Sequence, residues 1–113
     1  MRVTLTDKLV GRRTSEGNTV AIVASFYDDS SDTWSAVTPT TIRYRLDDPE
    51  TGREFIGWTS VTPATSATIS LPGTTLTACR DLEKLEVTVQ ANAGLVSQYQ
   101  ASKRFYITGL IGQ

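Results

Sequence analysis

Histidine is absent from all 113 positions. That removes the commonest general base and the commonest metal ligand. Cys79 is the single cysteine, so no intrachain disulfide can form. The fold must stand on packing alone, as suits a reducing cytoplasm. Charge of either sign is nearly balanced, with a formal net charge of −1. Such a chain has no strong field to draw in nucleic acid or an anionic membrane, and little repulsion between its own copies. Long apolar runs are missing too. The longest, Val20 to Ala24, falls far short of the roughly 20 residues that a membrane-spanning helix needs. Met1-Arg2-Val3-Thr4 leads into polar residues without an apolar stretch, so no signal peptide is expected. Glycine-rich phosphate loops are absent. Serine and threonine are plentiful, but a serine nucleophile needs a base, and a lone cysteine is more often a small buried hydrophobe. These absences lead to the expectation of a non-enzymatic protein with no cofactor and no catalytic or metal-binding residues.

What is present is β-sheet patterning. Hydrophobic residues make up 39 % of the chain, enough for one packed domain over 1–113. Thr40 to Val61 reads as a hairpin. Ile42, Tyr44 and Leu46 alternate with Arg43, Arg45 and Asp47, a period of two that separates an apolar face from a charged one. DDPETG, with Pro49 and Gly52, is the turn. In the return strand the alternation puts Ile56 and Trp58 on one face, Phe55 and Val61 on the other.

Elsewhere Val3 and Leu5 mark a short edge strand, and residues 11–18 read as a turn with Gly17 at its positive-φ position. Thr19 to Tyr27 is apolar on both faces and is placed mid-sheet. A short strand fits Thr33 to Pro39. Ala67, Ile69 and Leu71 face inward from SATISL, and Leu85, Val87, Val89 and Ala91 from LEVTVQA. The last strand, Gln98 to Thr108, points Ala101, Phe105 and Ile107 inward. Residues 74–84 suggest a loop with at most one short helical turn. The eighteen threonines suit pleated sheet, whose surface β-branched side chains fit. About seven short strands separated by turn signals predict an all-β fold, an antiparallel sandwich or a barrel.

Three constellations bear on binding. Asp28, Asp29 and Asp32 form an acidic loop. Clustered carboxylates can hold Ca²⁺, but the spacing matches no calcium loop, and a solvated connection is the usual outcome. Arg43, Arg45 and Arg53 form a basic strip on the outside of the hairpin, next to Asp47, Asp48, Glu50 and Glu54. The ordinary fate of such neighbours is a cross-strand charge ladder, and the sharper reading is contact with an acidic neighbour. Trp34, Trp58 and Tyr44 could stack on sugar rings, yet Trp58 and Tyr44 read as core anchors. Trp34, in a polar loop, is the candidate interface anchor. The candidate interaction surface is therefore Trp34, Arg43, Arg45 and Arg53.

LEVTVQANAG followed by ASKRFYITGL resembles the final strands of immunoglobulin-like and fibronectin type III-like sandwiches. Leu85 stands where the fibronectin pattern has tyrosine, and the lone Cys79 excludes the antibody-type cysteine pair. The order EGNTVAIVASFYDD, TTIRYRLDDPETG, WTSVTPATSATISLP, LEKLEVTVQANAG and RFYITGL, from about Glu16 to Leu110, is similar to small Ig-like proteins of tailed bacteriophages. That resemblance implies an Ig-like antiparallel β-sandwich in the virion. Its role would be capsid decoration, neck or tail accessory, or fibre part. Its partners would be major capsid, neck or tail proteins and copies of itself, in a multi-copy assembly without nucleic acid or membrane. The alternative expectation is a carbohydrate-binding or adhesive sandwich that uses Trp34.

Overall fold

The computed structural model describes residues 2–7, 9, 13–15, 17–28, 33, 35–73, 76, 82–95 and 98–108. They form nine strands: β1 (Arg2–Thr6), β2 (Arg13–Ser15), β3 (Val20–Asp28), β4 (Ser35–Ala36), β5 (Ile42–Asp47), β6 (Glu54–Val61), β7 (Ser66–Leu71), β8 (Leu82–Ala91) and β9 (Tyr99–Thr108). No described residue is helical. The strands divide into a four-stranded sheet and a five-stranded sheet, so the fold is an all-β sandwich.

In the four-stranded sheet β3 is central. It pairs antiparallel with β1 on one side. On the other it pairs with β7 along Val20 to Ser25 and then with β4 at Tyr27 and Asp28. The five-stranded sheet runs β2-β9-β8-β5-β6. Its pairs are antiparallel except that β2 lies parallel to β9, with Arg13 opposite Tyr106. Strands β1, β3 and β7 occupy the places of A, B and E in an immunoglobulin-like sandwich. Strands β9, β8, β5 and β6 take those of G, F, C and C′.

Alternation in the sequence becomes burial. Val20, Ile22, Ala24 and Phe26 from β3, Ala67, Ile69 and Leu71 from β7, and Leu85, Val87, Val89 and Ala91 from β8 are all buried. So are Ile42, Leu46, Phe105 and Ile107, and together these form one core cluster between the sheets. Burying a side chain of this size contributes about 1.5–3 kcal/mol before conformational entropy is subtracted. The tail of β1 is tied to the opposite sheet by Lys103 Nζ, 3.5 Å from the buried Asp7 carboxylate.

The DDPETG turn is held from within. Asp48, fully buried, accepts the N–H of Glu50 at 2.8 Å and of Thr51 at 3.3 Å. Gly52 takes φ of +76°, a left-handed conformation that glycine adopts without a Cβ penalty. At the other end of the sandwich, the Asn92 side chain accepts Thr40 N–H at 2.7 Å. This joins the β8–β9 turn to the chain that enters β5.

The structure corrects several expectations. Residues 13–15, read as part of a turn, form β2, while Gly17 does have positive φ. Strand β8 begins at Leu82, so 82–84 are strand rather than loop; the rest of 74–84, apart from the buried Leu76, lies outside the described residues, Cys79 included. Strand β3 is central, but its outer face is open to solvent, with Ala21 exposed. The expected all-β sandwich is there; beside seven strands of five or more residues it has two short ones, of three and two residues. Ile56 and Trp58 do not share a face. Two register shifts between β5 and β6 insert extra residues, and each bulge reverses the in–out parity of the residues beyond it. Ile56 opposite Leu46 and Thr59 opposite Tyr44 therefore both face the core side.

Candidate functional site

The outer face of the five-stranded sheet carries most of the ordered polar chemistry. Register places its side chains in rows. Ser60, Arg43, Gln90 and Gln100 lie side by side across β6, β5, β8 and β9. The next rows are Arg45, Thr88 and Ser102, then Asp47, Glu86 and Arg104. Hydrogen bonds run along these rows. Arg43 Nε donates to Gln90 Oε1 at 2.8 Å, and Gln90 Nε2 donates to Gln100 Oε1 at 2.8 Å. The Thr88 and Ser102 hydroxyls meet at 3.3 Å. Arg104 Nε donates to Glu86 Oε2 at 2.7 Å. Long side chains from adjacent rows cover their neighbours, so Thr88 and Gln90 are buried although they point away from the core.

Trp58 stands on this face. It is 40 % exposed. The Arg43 guanidinium carbon lies 4.3 Å from the ring centroid and that of Arg45 lies 5.7 Å away. Both arginines rise from one face of one strand, so they meet the indole from the sheet side. Such contacts are worth about 0.5–1 kcal/mol at exposed sites and more when desolvated. Here they fix a large apolar ring over polar ground. The expectation that Trp58 is a core anchor is thus overturned, and its cause is the bulge beside Gly57. A glycine inside a strand pattern is the local mark of such a bulge, and it is the signal that would have placed Trp58 outside. Tyr44 is half-buried and packs against the core, as expected.

Of the expected basic strip, the structure brings Arg43 and Arg45 together and separates Arg53. Arg53 sits past the bulges, stacked 4.3 Å from the Phe55 ring and 3.4 Å from the buried Glu83 carboxylate. Within the strip the expected charge ladder keeps one of its named carboxylates, Asp47, along the strand rather than across it. Arg45 bonds Asp47 of its own strand at 2.9 Å, and Glu50 bonds Lys84 at 2.9 Å. Trp34, Asp29 and Asp32 lie outside the described residues, so the expectations resting on them do too. Asp28 ends β3, exposed. Among the described residues no group of three acidic or cysteine side chains could hold a metal ion.

The electrostatics of this sheet follow from its pairs. The Glu50 carboxylate, bonded to Lys84, holds that ammonium above its ordinary value. Glu86 does the same to the Arg104 guanidinium. For Asp48, burial pushes the carboxyl up, but the hydrogen bonds it accepts from Glu50 N–H and from Thr51, with one shared with the Glu83 side chain, outweigh it and leave it below the ordinary carboxylate range.

A groove of about 560 Å³ between β1 and β9 reaches the edge of these rows, lined by Val3, Leu5, Ala101 and Lys103 together with Glu86, Ser102 and Arg104. A second, about 630 Å³, lies on the outer side of β3 between Leu9, Ala21, Val23 and Thr68. No helix of the described residues is long and apolar enough to cross a membrane. Compared with protein-family models, curated proteins and solved structures, the chain matches none.

Proposed function

We propose that this protein is a non-enzymatic structural component of a tailed-bacteriophage virion, an Ig-like module that binds its protein neighbours through the outer face of the five-stranded sheet. The observation that carries the binding role is Trp58, exposed and braced by Arg43 and Arg45 on the hydrogen-bonded outer rows of the sheet. Tryptophan and arginine dominate the energetics of protein interfaces, and an indole already held in place loses little entropy on binding. The virion setting is supported by the resemblance of the strand sequences to small phage Ig-like proteins. A near-neutral surface that permits packing in many copies agrees with it.

The test is association with particles. Recombinant protein should sediment with purified virions of the phage that encodes it, and Trp58→Ala should weaken that association. Mass spectrometry of the particles then assigns the place. A copy number near that of the major capsid protein means decoration, and a far lower one means neck or tail. Absence from particles, together with a tryptophan fluorescence shift on adding glycans, would replace this reading with a sugar-binding sandwich whose platform is Trp58.

A further inference from the structure

The face around Trp58 is unevenly neutralised. Arg45 is paired with Asp47, Lys84 with Glu50 and Arg104 with Glu86. Among the described residues Arg43 has no carboxylate partner; its contacts are the Gln90 amide oxygen and the Trp58 ring. The row it heads is also directional. Arg43 gives a proton to Gln90 and Gln90 gives one to Gln100, each amide using its oxygen as acceptor. The row thus keeps donors at both ends: the terminal N–H groups of Arg43, and the Gln100 amide nitrogen. Beneath the indole a third donor, Arg45 Nε, is buried without an acceptor.

We infer that this surface takes an acidic segment of a partner protein, with a carboxylate on Arg43 and an adjacent apolar or aromatic side chain on the open face of Trp58. The inference rests on the protein-binding reading above. Charge complementarity selects the occupant: at the Arg43 end of the face the uncommitted groups are donors, one of them a guanidinium, while the exposed Glu54 carboxylate lies at the other end, opposite Asp47. The Arg43 end favours a carboxylate, which accepts two parallel bonds from an arginine. A row of paired side chains that spans four strands has the extent of a protein contact rather than of a single sugar ring.

The test uses the ¹⁵N-labelled full chain and two blocked peptides, one reading Gly-Glu-Phe-Glu-Gly and the other carrying glutamine for glutamate. The glutamate peptide should shift the Arg43 Nε–H and Trp58 indole N–H resonances, and the glutamine peptide should not. Arg43→Gln should weaken binding at least about tenfold, while a cooperative thermal transition and the spectrum away from the Arg43 row show that the fold is kept. Arg43→Lys, which keeps the charge but not the two parallel bonds, should recover only part of what Arg43→Gln loses. Equal response to both peptides, no response at Arg43, or unchanged binding by Arg43→Gln overturns the inference. Tighter binding of an oligogalacturonate than of the glutamate peptide overturns it in favour of an acidic glycan. The virion reading fails separately. If the wild-type chain does not sediment with particles, that assignment falls while the peptide titration still decides the acidic partner.

Discussion

The two outer faces of the sandwich are built on the same core and covered in opposite ways. Over the four-stranded sheet the outward residues are mostly small, with Arg2 and Tyr27 together at one end. Thr6, Ala21, Ser66, Thr68 and Ser70 are exposed, and a hydroxyl pair, Ser25 with Ser66 at 3.0 Å, is one of its few side-chain bonds. Over the five-stranded sheet, long side chains lie across their neighbours, and residues such as Thr88 and Gln90 are buried nearly as well as the core. Burial in a sandwich is therefore not a property of the interior alone. A row of Arg, Gln and Trp can dry the outside of a sheet, and bonds in such a row are worth more than the same bonds in water. This is why the second face, and not the first, carries the binding proposal.

The largest effect expected comes from breaking what both faces share. Val89 is fully buried between the sheets, one residue from Thr88 on the outer row. Val89→Asp places a carboxylate where no partner exists, a cost of several kcal/mol against a total stability of about 5–15 kcal/mol. We expect no cooperative thermal transition for this variant. Thr88→Asp should still fold, because Ser102 and solvent lie within reach. Equal loss in both variants would mean that the division between inner and outer rows is wrong.

A smaller effect separates the faces by pH. The five-stranded sheet ends in the turn that Asp48 holds, and its carboxyl lies below the ordinary range in the folded state. A depressed folded value stabilises the protein above the unfolded value of about 3.9, and the gain is lost as pH falls through the folded value. Stability should thus drop below about pH 4. Asp48→Asn should lower the melting temperature at pH 7 and flatten that acid arm. An acid arm unchanged by Asp48→Asn would place the acid sensitivity in other carboxylates.

Much of this fold was legible in the residues, and the exceptions have physical causes. Alternation in Val20 to Phe26, Ala67 to Leu71 and Leu85 to Ala91 placed every inward residue correctly, because a buried face enforces a strict period of two. Strand β2 left no such mark. Its Arg-Thr-Ser carries no apolar alternation, and its partner β9 lies about ninety residues away in sequence. At the candidate site, Arg43 and Arg45 were legible because they sit on the regular part of β5. Trp58 was misplaced because a bulge breaks the period there, and Arg53 because the second shift turns it toward Glu83. Residue type named the right groups, and only backbone register could say which of them meet.

The sharpest comparison between the faces is also the one with the smallest energies. Gln90 links Arg43 to Gln100 under cover of the row, so Gln90→Ala removes an acceptor and a donor from partly buried partners. Each net bond contributes about 0.5–1.5 kcal/mol, so a loss of about 1 kcal/mol is expected by chemical denaturation, with an unchanged denaturant slope. Thr68→Ala on the opposite face removes an exposed hydroxyl from a β-branched residue and should stay within about 0.5 kcal/mol. Glu86→Ala tests whether charge or cover makes the difference. Its partner Arg104 is more than half exposed, and exposed ion pairs contribute little, so this change too should stay under about 0.5 kcal/mol. If Glu86→Ala costs as much as Gln90→Ala, the value of the face lies in its ion pairs. If it does not, the covered amide row makes this side rigid, and Arg43 at its end is held ready for a partner.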